Sequence, residues 1–422
     1  MDELFIQYLW RFQKFDSSNL LLTDGRPLVV FNTGNQNEHA GPDFKEAKLK
    51  IDDLIWSGSV EIHYRSSDWN RHNHQNDKAY ENVILHVVWI HDRDIAVGQQ
   101  IIPTLELSQY VDDSLSNSYR QYINQPETIL CSDNLKKMPS ITISSMLDRA
   151  LTSRLQQKSE FVLDQLSACN DDWEEVTYRV MAKNFGFKTN AETFERLAKS
   201  LPYRVLRKYH GKPTQAFALI FGMAGFLETP QDEYQERLKN EFDFLSKKHN
   251  LSPELMHHHW KYAKMRPANF PSVRLAQFAS ILTANHQLFS QLIVTESVKD
   301  IKSIIHKPLP EYWQKHFDFG KPSTRNQQIG TSSMENMIIN SVVPVLSAYS
   351  IYLDEISYLE KAQQILEQLP TEKNSVTKKW MKAGIKTEHA GDSQALIYQY
   401  KELCIKKRCL NCNIGISILH NP

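Results

Sequence analysis

Apolar and polar positions follow two rhythms along the chain, and the change from one to the other divides it. In the first 15 residues Leu4, Phe5, Tyr8, Leu9 and Phe12 recur at spacings of three and four, the period of a helix with one buried face. "RPLVVFN" (26–32), "AKLKID" (47–52) and "LIWSGSVEIHY" (54–64) read as three strands, the last two joined by a turn at Asp52 and Asp53. "YENVILHVVWIHD" contains a nearly continuous apolar run, as expected of a strand buried on both faces. From about Ser140 the helical period dominates, through "ISSMLDRALTSRLQQKSEFVLDQL", "TQAFALIFGMAGFL", "VRLAQFASILTANHQLF" and "DSQALIYQYKELC". The expected class is α+β. A mixed-sheet α/β domain over 1–115 precedes an all-α domain over 116–402, and a cysteine-bearing tail over 403–422 is expected to pack on the helical domain.

Bulk composition narrows the class without naming a function. Of 422 residues, 41% are apolar and 23% charged, the balance of a folded globular chain. The N-terminus carries acidic residues where a secretion signal would be basic, and no run reaches the ~18 consecutive apolar residues of a membrane span, so a cytoplasmic protein without a membrane role is expected. Lys plus Arg equals Asp plus Glu, 49 each, so binding to nucleic acid would rest on a local basic surface. No phosphate-cradling glycine loop and no G-x-S-x-G elbow is present, which disfavours ATP-dependent and serine-hydrolase chemistry.

The candidate chemistry sits in the early strands. Residues two apart on a strand share a face, so Glu61 and His63 point the same way. A hairpin closing at Asp52 and Asp53 brings Asp43, at the start of one strand, beside Glu61 in the next. Two such carboxylates, with the Ile62 carbonyl, would suit Mg²⁺ or Mn²⁺, and His63 would orient or deprotonate an attacking water. The plain alternative has Asp43 capping a turn and Glu61 facing solvent. A second polar set, Asn37, His39, Asp68, His72, His74 and His86, raises the possibility of an imidazole-rich site for Zn²⁺ or Mn²⁺. His86 stands out because it interrupts an apolar strand, where a buried ring needs a partner.

Two further features lie downstream. Cys404, Cys409 and Cys412 form a C-x4-C-x2-C cluster, and Cys131 is the best fourth ligand for a structural Zn²⁺ or iron-sulfur cluster. In "MRPANFPSVRLAQF" the prolines at 267 and 271 interrupt a helix between Arg266 and Arg274, which are candidates to contact phosphates; the alternative is pairing with local carboxylates.

"PD" at 42–43 followed by "EIH" at 61–63, in this strand order, resembles the PD-(D/E)xK nuclease superfamily. The resemblance implies a restriction-endonuclease-like fold, metal ligation by Asp43 and Glu61, and nuclease activity, with DNA as the expected substrate. His63 stands where that superfamily usually has Lys, a change that also admits a non-catalytic nucleic-acid-binding or scaffold protein. Longer phrases, among them "NTGNQNEHAGPDFKEAKLKI", "GSVEIHYRSSDWNRHNH", "RPANFPSVRLAQFA" and "KRCLNCNIG", resemble a bacterial family known as domain of unknown function 2851. That likeness spans nearly the whole chain and implies that the two parts work together.

Overall fold

Helix α1 (Glu3–Arg11) starts at Asp2, whose carboxylate accepts the Phe5 N–H and satisfies one of the open donors of the first turn. Its stripe of Phe5, Ile6, Leu9 and Trp10 is fully buried and forms part of the hydrophobic core of a seven-stranded sheet. The structure, a computed structural model, describes residues 2–37, 40–97, 100–124 and 129–420.

The strands are β1 (Leu20–Leu21), β2 (Pro27–Asn32), β3 (Asn35–Gln36), β4 (Phe44–Ile51), β5 (Leu54–Arg65), β6 (Val83–Ile90) and β7 (Thr104–Glu106). Their order in the sheet is β1, β2, β4, β5, β6, β7, with β3 pairing on β4. From β1 to β5 the neighbours run antiparallel, while β5, β6 and β7 are parallel. The β4–β5 hairpin closes as Ile51 opposite Leu54, with Asp52 at φ +52°, in the left-handed region that Asp tolerates better than most residues. The parallel step from β5 to β6 needs a crossover, supplied by residues 66–82 and the short helix α2 (Asp68–Arg71). Its register sets Glu61 directly beside His86. The alternating strands and the buried central β6 follow the sequence reading; the two-residue strands and the parallel edge strand β7 were too short to give a pattern.

The chain divides into two compact units, Met1–Leu147 with Lys379–Ile385 and Tyr398–Pro422, and Asp148–Lys378 with Lys386–Ile397. This differs from the expected boundaries in one consequential way. The C-terminal tail, expected on the helical domain, places Leu410 and Leu419 in the apolar core of the sheet unit. Buried leucines decide where a tail docks, and their partners were not visible in a linear pattern.

The second unit is helical. Helix Pro213–Met223 meets helix Glu233–His249 at Gly222, where a Cβ would stand 2.3 Å from the Phe242 ring, so only glycine permits that approach. Trp313 stacks on Phe221 at 5.1 Å in the same core. The run Thr331–Leu353 is long and apolar enough to cross a membrane by length and composition, and 67% of its most apolar 18-residue stretch is buried inside the protein. It contains Pro344, which leaves the carbonyl four residues earlier without its helical donor. A π-turn over Ile338–Val342 absorbs the change, and the side-chain amide of Asn184 donates to that carbonyl, Asn340 O, at 2.7 Å.

Candidate metal centre

Asp43 and Glu61 are locked together through each other's backbone. The Asp43 N–H donates to Glu61 Oε2 at 3.0 Å, and the Ile62 N–H donates to Asp43 Oδ2 at 3.0 Å. Gln7, on α1, donates to Asp43 Oδ1 at 2.9 Å. It is therefore the N–H of Ile62, and not the carbonyl expected as a ligand, that meets Asp43. Glu61 is only 5% exposed, so the alternative of a solvent-facing glutamate does not hold. Burial lifts the Asp43 carboxyl to about 8, helped by the negative charge of Glu61, and burial lifts Glu61 to about 8 as well. Two adjoining buried carboxylates are a costly arrangement unless a cation accompanies them.

The imidazoles gather on the other oxygen of Glu61. Its Oε1 lies 3.3 Å from His74 Nε2 and 3.6 Å from His63 Nε2. His63 Nε2 is 3.1 Å from His72 Nδ1, and its Nδ1 is 2.9 Å from His86 Nε2. The turn that delivers His72 and His74 follows α2, with Asn73 between them at φ +62°, so both rings come back over β5. Trp69, fully buried, stands edge-on to His63, His74 and His86, and Tyr80 stacks on His74 at 3.9 Å. Burial, reinforced by the neighbouring histidines, drives His63 down to about 2 and His86 to about 3; burial alone lowers His74, against the opposing charges of Asp43, Asp77 and Glu3. All three rings are neutral near pH 7, the state in which an imidazole can bind a metal.

The donor set fits one divalent cation. Ligand nitrogens of His63, His72 and His74 lie within 4.8 Å of one another. Ligands at ~2.1 Å from a tetrahedral ion stand about 3.4 Å apart; His63 and His72 approach that spacing at 3.1 Å, and Glu61 Oε1 adjoins His74 at 3.3 Å and His63 at 3.6 Å. His86 sits behind His63 and fixes its ring, as outer partners of metal-binding histidines do. Three imidazoles and a carboxylate suit Zn²⁺, Mn²⁺ or a similar ion better than Mg²⁺, which prefers oxygen.

Other residues singled out from the sequence stand elsewhere. Asp68 accepts the Arg65 N–H and pairs with Arg71 at 3.0 Å, so it shapes the turn into α2 and does not join the histidines. Asn37 donates to Pro42 O, and its own N–H donates to Asp43 O, so it braces the loop ahead of Asp43. His39 lies outside the described residues. Arg274 is buried in the second unit and Arg266 is exposed there. Two contributors from α1 were missed: Gln7, and Glu3, whose carboxyl is raised by burial and acts electrostatically on Asp43 and Glu61. Their spacing of four, flanking the apolar stripe, was the available signal.

Cys131, Cys404, Cys409 and Cys412 line one cavity in the first unit, together with Leu130, Leu403 and Gln399. A π-turn over Gln399–Cys404 ends at the first of the three C-terminal cysteines, and Gln399 Nε2 donates to Cys412 Sγ at 2.9 Å. Burial, then the proximity of Cys131, Cys412 and Cys409, raises the Cys404 thiol well above its ordinary value. A Cβ on Gly415 would fall 2.1 Å from Cys409 O. Gly415→Ala is accordingly expected to force the 409–412 turn apart and lower the melting temperature, read by thermal unfolding; an unchanged temperature would show that the turn can yield.

Comparison with known proteins gives a family and no further relatives: no curated protein and no solved structure matches. A family profile described as "Protein of unknown function (DUF2851)" matches residues 3–375, a span that includes the whole histidine-carboxylate cluster and Arg274. The chain belongs to the DUF2851 family.

Proposed function

We propose that this protein is a metal-dependent phosphodiesterase acting on nucleic acid, with DNA as the first substrate to test. The observation that carries the metal-dependent part is the convergence of ligand nitrogens of His63, His72 and His74 within 4.8 Å of one another, with Glu61 Oε1 beside two of them, His63 and His74. The substrate class rests on the PD-(D/E)xK resemblance of Asp43 and Glu61 and is supported by the order of strands that brings those two residues together.

A divalent metal bound there supplies a Lewis acid and lowers the pKa of a bound water. The chain supplies the rest. Glu61, His63, His72 and His74 bind, while His86 and Trp69 hold the rings in place. Asp43, anchored by Gln7 and the Ile62 N–H, takes the proton of the attacking water on its carboxylate. His63 is a ligand in this reading and does not replace the lysine as base, because both its nitrogens are engaged.

Single- and double-stranded DNA incubated with the chelated protein and added Zn²⁺, Mn²⁺ or Mg²⁺ tests this. Cleavage is expected with Mn²⁺ or Zn²⁺, to exceed that with Mg²⁺, and to fall roughly 10²-fold or more in Asp43→Asn. Stoichiometric metal binding without cleavage of any substrate would leave a non-catalytic binding protein.

The four cysteines are assigned to a second, structural metal, zinc or an iron-sulfur cluster. Four thiols around one cavity are good soft-metal ligands and poor buried neighbours as free thiolates. Visible absorption with iron would identify the cluster, colourless protein with stoichiometric zinc the alternative, and protein purified without oxygen that lacks both metals would overturn the assignment.

A further inference from the structure

Among the described residues, the second unit contains a buried arginine with no counter-charge. Arg274 is 6% exposed, in the first turns of helix Pro271–Ala284. Its guanidinium donates to Gln277 Oε1 at 2.9 Å, Asn269 Oδ1 at 2.7 Å and Ser333 Oγ at 3.1 Å, all neutral, and it lies over the Phe187 ring at 4.5 Å. Among the described residues its Nε has no partner. Burial lowers its pKa to about 10, so it remains charged at neutral pH.

Arg274 forms part of the wall of a pocket of about 460 Å³. Lys188, Lys264 and Arg266 also line it, and no aspartate or glutamate does. The start of helix Pro271–Ala284 borders the same space and adds the positive end of its dipole. A charge held this deeply among neutral partners is costly unless an anion accompanies it. The alternative raised by the sequence, pairing with local carboxylates, does not hold for Arg274.

We propose that this pocket binds a phosphate group, with Arg274 as the buried anchor and Lys188, Lys264 and Arg266 as the outer cations. Four cations without an acid call for a multiply charged anion, which a single carboxylate does not provide. The planar guanidinium suits phosphate oxygens, and the volume accommodates a group as large as a nucleotide. The proposal is independent of the metal centre and stands whether or not that centre cleaves anything.

The test is binding to the full chain at matched ionic strength, with inorganic phosphate, a 5′-mononucleotide and a short oligonucleotide, against chloride as control. Phosphate is expected to raise the melting temperature above the chloride value. In Lys264→Ala/Arg266→Ala, where both positions are exposed and folding is not at stake, affinity is expected to fall roughly tenfold or more. Arg274→Met is expected to abolish the phosphate effect while leaving the ligand-free protein no less stable. Tighter binding of the oligonucleotide than of the mononucleotide assigns the phosphate to nucleic acid; the reverse order assigns it to a small molecule, and either supports the site. A phosphate effect equal to that of chloride, or one unchanged in the double variant, overturns it.

Discussion

Glu61→Gln is expected to reduce metal-dependent cleavage by roughly 10³-fold or more, about 4 kcal/mol of transition-state stabilisation, and to make the metal-free protein more stable at pH 8. The two effects have one origin. Glu61 Oε2 accepts the Asp43 N–H, a role that a glutamine oxygen can keep, whereas Oε1 faces His63 and His74, where only the carboxylate adds charge for a cation. The amide has nearly the same volume, so packing beside His86 of β6 is retained. Without the metal, one of two adjoining buried negative charges has been removed, and the like-charge and desolvation penalties go with it. Opposite movement of activity and melting temperature separates this reading from simple misfolding, which lowers both. Retained metal affinity, or a metal-free form less stable than wild type, would sink the assignment of Glu61 as a ligand.

The sequence carried this site unevenly, for reasons visible in single residues. Asp43 and Glu61 were legible because the hairpin at Asp52 and Asp53 fixes which residues of β4 and β5 approach one another, and period-two alternation fixes the faces. His72 and His74 were visible only as residue types. The His74 ring reaches Glu61, and the His72 ring reaches His63, because Asn73 adopts a left-handed backbone and reverses the chain, and nothing in a linear pattern gives the direction of such a turn. Asp68 shows the converse: it is near the histidines in sequence, yet it is turned to the Arg65 N–H and Arg71. Gln7 and Glu3 lay on a helix read for its apolar stripe alone. The tail was placed on the wrong unit because it was read for its cysteine spacing alone, which does not report what Leu410 and Leu419 pack against. The fold class, by contrast, followed from the change of period near Ser140, since strand and helix rhythms are local properties of the chain.

Stripping the metal should also invert the dependence of stability on pH. In the metal-free protein Asp43 and Glu61 are both lifted to about 8, from ~4 in an unfolded chain. A raised carboxyl pKa means that the folded state holds the proton longer. Its stabilising share is therefore full below ~4 and is lost as pH rises toward 8, by up to about 1.4 kcal/mol per pH unit for each group. His63 and His86 act in the other direction. Their folded values, about 2 and about 3, lie below the unfolded ~6.5, so they lower stability as pH falls through that range, and His74 adds to this. Between about pH 4 and 6.5 the two pairs nearly cancel. Above 6.5 the histidines are neutral in both states, and the carboxylates alone set the slope. Glu3, also raised by burial, acts in the same direction as these carboxylates, and Arg71 offsets little because it is largely exposed and engaged with Asp68. Melting temperatures of the chelated protein are thus expected to hold between pH 5 and 6.5 and drop steeply toward pH 8. With saturating Mn²⁺ or Zn²⁺ the drop should disappear, because metal binding favours the deprotonated carboxylates and strengthens as pH rises. Parallel curves with and without metal would mean that the ion does not bind at Glu61 and the histidines beside Asp43, whatever it does elsewhere on the protein.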